Sequence, residues 1–172
     1  MKKFMIGLLV LGLTNLTVAQ NHSFALNEML PEVTIVPANF TYISNVIDDN
    51  SPRIVKKMEK TAASYDVSEH PNFDEADIYA LQVTFQEPHA RIIASYDETG
   101  KIIKSFEKFK NIVLPKDLVN QIMMQYPGWE FKSDTYLVKY SSGEEAKKYY
   151  TIRLLKDDNK INLKIDPSGK VL

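Results

Sequence analysis

Apolar and polar residues along this chain recur with two periods, one helical and one of a pleated strand. Ile54, Val55, Met58 and Ala62 fall on one side of a helix. Asp48-Asp49-Asn50-Ser51-Pro52 opens that helix, with Ser51 placed to cap it and Pro52 where a missing N–H does no harm. Tyr79, Leu81, Val83 and Phe85 then alternate with Ala80, Gln82 and Thr84, the pattern of a half-buried strand. Pro88-His89 interrupts the run, residues 90–96 predict a second strand, and 101–109 predict a third. Another helix is expected from Pro115, with Leu118, Val119, Ile122 and Tyr126 facing inward and Tyr126-Pro127-Gly128 as its stop. Beyond it, Tyr136, Val138 and Tyr140 alternate with Leu137 and Lys139. Tyr150, Ile152 and Leu154 alternate with Thr151 and Arg153, and Ile161, Leu163 and Ile165 with Asn162 and Lys164. Ser141-Ser142-Gly143-Glu144 and Asp157-Asp158-Asn159 supply the turns between these strands.

The pattern is written twice. Asp97-Glu98-Thr99-Gly100-Lys101-Ile102-Ile103 returns as Asp166-Pro167-Ser168-Gly169-Lys170-Val171-Leu172, in each case a tight turn feeding a strand. Ile54, Met58 and Ala62 return as Leu118, Ile122 and Tyr126, so helix and turn repeat at nearly the same offset. The fold class expected is α+β, two tandem units each of a helix and an antiparallel meander, over 51–110 and 111–172. A short β-prone run between Pro31 and Pro37 fits an edge strand or an extended lead-in, and 20–50 as a whole is expected to be an extended lead-in.

The first residues change the setting. Met1-Lys2-Lys3, an apolar run over 4–16 and Thr17-Val18-Ala19-Gln20 read as a Sec-type signal peptide cleaved after Ala19. The apolar run is too short to span about 30 Å of hydrocarbon, so the mature chain is not expected to cross a membrane. The location expected is periplasmic or secreted. No cysteine occurs, so an exported form must rely on its core without disulfides. The 21 Lys and Arg against 22 Asp and Glu leave a net charge of −1, which gives no reason to expect nucleic acid as a partner.

The runs Leu114-Pro115-Lys116-Asp117-Leu118-Val119, Gln125-Tyr126-Pro127-Gly128-Trp129, Tyr136-Leu137-Val138, Tyr149-Tyr150-Thr151-Ile152 and the final Asp166 to Leu172 carry a resemblance. Together they resemble the PepSY-like, beta-lactamase-inhibitor-like domain of small periplasmic proteins from Bacteroidetes. In that family a helix closed by a Tyr-Pro-Gly stop leads into a meander ending on an Asp-x-x-Gly-Lys turn. The second unit matches throughout. The first matches more loosely, since its helix exit, Ser64-Tyr65-Asp66-Val67, departs from the pattern. The resemblance implies a non-catalytic exported module with a fold similar to that of beta-lactamase inhibitors and mostly undefined targets, and supplies no catalytic residues; no cofactor is expected.

The residues themselves agree on chemistry. There is no cysteine, no Gly-x-Ser-x-Gly elbow and no glycine-rich phosphate loop. His22, His70 and His89 are far apart in sequence, so no metal is expected. The weak alternative is a small-ligand or metal site at His70 with Asp74, Glu75 and Asp77, a stretch that otherwise reads as a solvated acidic loop. Aromatic residues cluster in the second meander. Trp129, Tyr136, Tyr140 and Tyr149 are the candidates for contact with an envelope protein or peptide, and the same residues serve equally for cross-strand packing.

Overall fold

The structure, a computed structural model, describes residues 37–71 and 80–172. The signal peptide, the run between Pro31 and Pro37, His22, Asp74, Glu75, Asp77 and Tyr79 lie outside the described residues or at their border.

Six strands follow one another as a single antiparallel meander: β1 (Leu81–Glu87), β2 (Ala90–Tyr96), β3 (Ile102–Lys110), β4 (Glu130–Ser141), β5 (Lys147–Lys156) and β6 (Asn159–Ile165). Among the described residues three α-helices accompany them: α1 (Phe40–Val46), α2 (Arg53–Ala63) and α3 (Lys116–Gln125). The protein is therefore α+β, as its patterning predicts. β3 pairs directly with β4, Phe109 opposite Tyr136, so residues of both expected units contribute to one sheet and one core.

Burial alternates along the strands, so one sheet face holds the core. Ala90, Phe109, Tyr136, Tyr150 and Ile165 form one row across five strands of that face. Tyr136 stacks on Tyr150 with ring centroids 4.4 Å apart and meets Phe109 at 6.2 Å. Val55, Met58, Ala62 and Ala63 of α2, Tyr42 and Val46 of α1, and Leu118 and Ile122 of α3 complete the same buried cluster.

The two Asp-x-x-Gly-Lys turns close in the same way. Asp97 Oδ1 accepts from the Thr99 N–H at 3.0 Å, the Thr99 hydroxyl at 2.6 Å and the Lys101 N–H at 3.0 Å. Asp166 Oδ1 accepts from the Ser168 N–H at 2.9 Å, the Ser168 hydroxyl at 2.6 Å and the Lys170 N–H at 3.0 Å. Gly100 and Gly169 both take positive φ, +77° and +91°.

Three local expectations are corrected. Phe40–Val46 is a helix where an extended lead-in was expected, because Tyr42 and Val46, four apart, are both inserted into the core. Ser51 does not cap α2. Its hydroxyl accepts from the Asp48 N–H at 3.0 Å in the preceding turn, and Pro52 stands at the helix boundary. Val119, expected on the inner side of α3, is only half-buried.

Asn39 ties α1, α2 and β3 together from a fully buried position. Its amide donates to the Ala63 carbonyl at 3.2 Å and the Gly100 carbonyl at 3.0 Å, while its oxygen accepts from the Ile102 N–H at 2.7 Å. Each of these groups would otherwise be a buried backbone orphan.

Candidate functional site

Among the described residues the helices pack on one sheet face, and the strand register defines what the other presents. Directly opposed residues share a face, so Arg91 lies beside Lys108, Lys108 beside Leu137, and Leu137 beside Tyr149. The next row runs Thr84, Ile93, Phe106, Lys139, Lys147. Another runs Lys110, Thr135, Thr151, Lys164, and beyond it Arg153 stands opposite Asn162 and Lys160 opposite Leu155. With Lys104 opposite Ser95, nine exposed cations stand on this outer face. The register puts one acidic residue there, Glu130 at a corner. None of the nine cations forms an ion pair among the described residues.

The middle of the same face is apolar. Phe106, 42% exposed, stands beside Ile93, and Leu137 stands beside Tyr149 on the neighbouring strands. Lysines lie over the rings instead of extending away: Lys139 Nζ is 5.8 Å from the Phe106 centroid and Lys164 Nζ is 4.2 Å from that of Tyr149. At one edge of the face a shallow depression of about 290 Å³ is lined by Gln86, Pro88, His89, Arg91, Lys108 and Lys110.

This geometry divides the four aromatic candidates. Tyr149 is half-buried on the outer face. Trp129 is half-buried ahead of β4 and packs against the core. Tyr136 and Tyr140 are 1% and 2% exposed on the opposite, inner face, where Asp134, Tyr136, Val138 and Tyr140 of β4 point beyond the bulge at Phe131/Ser133. Their rings serve cross-strand and helix packing and leave no surface for a partner. Of the weak metal alternative, only His70 is described, at the end of a short 3-10 turn, Val67–Glu69. Among the described residues no three His, Cys, Asp or Glu side chains gather where they could hold a metal ion.

The structure also contains a carboxyl pair that was not singled out from the sequence. Glu59 on α2 and Glu107 on β3 are both fully buried. Glu107 Oε1 accepts from the Tyr42 hydroxyl at 2.8 Å and the Ser105 hydroxyl at 2.6 Å. Burial pushes the Glu59 carboxyl well above the ordinary range. The negative charge of Glu107 and a hydrogen bond to it add to the rise, and Lys148 opposes it. Glu107 is also raised by burial, against hydrogen bonds from Ser105, Tyr42 and Glu59. Burial of two facing carboxyls therefore favours the uncharged form of Glu59. Outside the pair, no group offers a hydrogen bond to either Glu59 oxygen or to Glu107 Oε2, and the buried Tyr140 hydroxyl is without a partner as well. The signal was available in phase: Glu59 lies four residues after Val55, and Glu107 shares parity with Phe109.

A second depression, of about 440 Å³, lies between the 111–114 segment and the start of β4 and has Asp134 in its lining. Burial raises the Asp134 carboxyl, against the Ile112 and Asn111 N–H groups that donate to this residue. Neither depression includes Glu59 or Glu107.

No family model matches the chain, and no curated protein matches it. Among solved structures it is similar to a DUF2874 family protein from Bacteroides ovatus, with 15% sequence identity, 56% of this chain and 68% of that one covered, and a TM-score of 0.34. No helix among the described residues is long and apolar enough to cross a membrane.

Proposed function

We propose that this chain is an exported, non-catalytic binding module of the cell envelope, periplasmic or secreted, which presents its outer sheet face to a protein or peptide partner. The observation that carries the reading is the outer face itself. It is a sheet surface with Phe106, Leu137 and Tyr149 near its centre and charged side chains around them, the layout of a protein interface with an apolar middle and a polar rim. In this reading Glu59 and Glu107 are structural groups of the core. The chain is a PepSY-like, beta-lactamase-inhibitor-like module built by duplication of a helix-plus-meander unit. Support for duplication comes from the two Asp-x-x-Gly-Lys turns, which repeat each other bond for bond.

The test is affinity capture from native cell-envelope extract with the mature chain, using Phe106→Ala/Tyr149→Ala as the control. Tyr136→Ala is unsuitable, because its ring is packed in the core. A protein retained by the natural face and lost from the double variant, which keeps its fold by circular dichroism, supports the reading. Equal capture by both removes the face from consideration. The small-ligand alternative at His70 predicts instead that His70→Ala or a chelator shifts thermal stability.

A further inference from the structure

We infer that the partner of the outer face is an acidic polypeptide segment in which Asp or Glu residues alternate with apolar ones. The inference rests on the face-binding reading above and names the chemistry of its partner. The chain as a whole carries a net charge of −1, yet the outer face gathers nine cations against one corner carboxylate. That segregation puts a strongly positive potential on a surface where, among the described residues, no acidic side chain pairs with these cations. An acidic partner gains from it twice, in attraction on approach and in pairing after docking.

The arrangement of these charges favours a polypeptide over a polyanionic chain. A nucleic acid or sulfated glycan is tracked by a continuous run of cations. Here the run is broken in the middle of the sheet by Ile93, Phe106, Leu137 and Tyr149, with lysines folded over two of the rings. Strands stand about 4.8 Å apart and alternate residues about 7 Å apart along them, so an extended segment could set apolar side chains on the central patch and carboxylates on the flanking lysines. The depression beside Arg91, Lys108 and Lys110 would take a carboxylate at the rim.

The experiment is selection of a randomised peptide library against the full chain, repeated on Lys108→Glu/Lys139→Glu and on Lys116→Glu/Lys170→Glu, two variants with the same change in net charge. The expected result is enrichment of peptides mixing Asp or Glu with apolar residues. Their binding should weaken by about tenfold or more at high salt. It should be lost on the first variant and kept on the second. Enriched peptides that are neutral or basic, yet lost on Phe106→Ala/Tyr149→Ala, overturn the acidic partner while leaving the docking face standing. Binding of a sulfated polysaccharide, an oligonucleotide or anionic phosphatidylglycerol vesicles, with no peptide enriched, overturns the inference and the polypeptide reading together. No enrichment and no binding of any of these overturns both.

Discussion

Glu59→Gln is expected to stabilise this protein at neutral and alkaline pH. Both buried carboxyls have raised pKa values in the folded state. The folded chain therefore holds protons that the unfolded chain releases above the ordinary Glu range near pH 4.3. The sign follows: stability is fully present below that range and is lost as pH rises toward the folded values, by about 1.4 kcal/mol per pH unit for each proton retained. Glutamine has the same shape, carries no titrating proton, and offers an amide N–H in place of the carboxyl proton facing Glu107. The groups around the pair are Tyr42, Ser105, Lys148 and Asp48, and none of them is altered by the substitution. Urea unfolding of both chains between pH 4.5 and 8.5 should show near-equal midpoints at the acid end. The variant should gain about 1–3 kcal/mol at the alkaline end and have the flatter profile, with unchanged m-values. If Glu59→Gln destabilises more at pH 8 than at pH 5, or if the natural chain shows no loss of stability across this range, the protonated-pair account is wrong.

An opposite limb is expected in acid. Asp166 is lowered by the Ser168 hydroxyl and by backbone donors, and Asp97 is lowered because its hydrogen bonds outweigh its burial, so their contributions are present above about pH 4 and fade as pH falls. Asp97→Asn/Asp166→Asn should flatten that limb in the same urea series without moving the alkaline one. Asn39→Leu should cost about 3–4 kcal/mol in urea midpoints, since it orphans the Ile102 N–H and the Ala63 and Gly100 carbonyls. Gly100→Ala should lower the thermal midpoint more than Gly143→Ala. Both residues have positive φ, but a Cβ at Gly100 meets Val67 at 3.3 Å while Gly143 has nothing within 4 Å. Tyr136→Ala should cost about 3–5 kcal/mol, read by urea unfolding and the fluorescence of Trp129, the chain's single tryptophan.

The strands and two of the helices were legible because each repeats a clean period against one buried face, and each turn carries residues suited to its geometry. α1 was not. Phe40-Thr41-Tyr42-Ile43-Ser44-Asn45-Val46 is rich in aromatic and β-branched residues that disfavour a helix. It becomes one because Tyr42 reaches Glu107 and Val46 is buried, contacts set by tertiary packing. Reading the aromatic residues as a group failed for a related reason. Tyr136 and Tyr140 have the opposite parity to Tyr149 after the hairpin is registered, and composition carries no parity.

The cations on the sheet make the same point about charge. Lys104, Lys108 and Lys110 share the parity of Phe106 and are opposite in phase to Ser105, Glu107 and Phe109. β3 alone therefore announces a basic outer face and a carboxyl turned inward. The formal charge of −1 averages that away, because it sums residues without regard to the side on which a period of two places them. Net charge bounds the long-range field of a chain, whereas the field at a sheet face is decided by strand phase. Here the phase of β2 to β6 gathers cations on the face opposite the described helices, and the buried Glu107 and the exposed Lys104, Lys108 and Lys110 of the same strand are two consequences of one alternation.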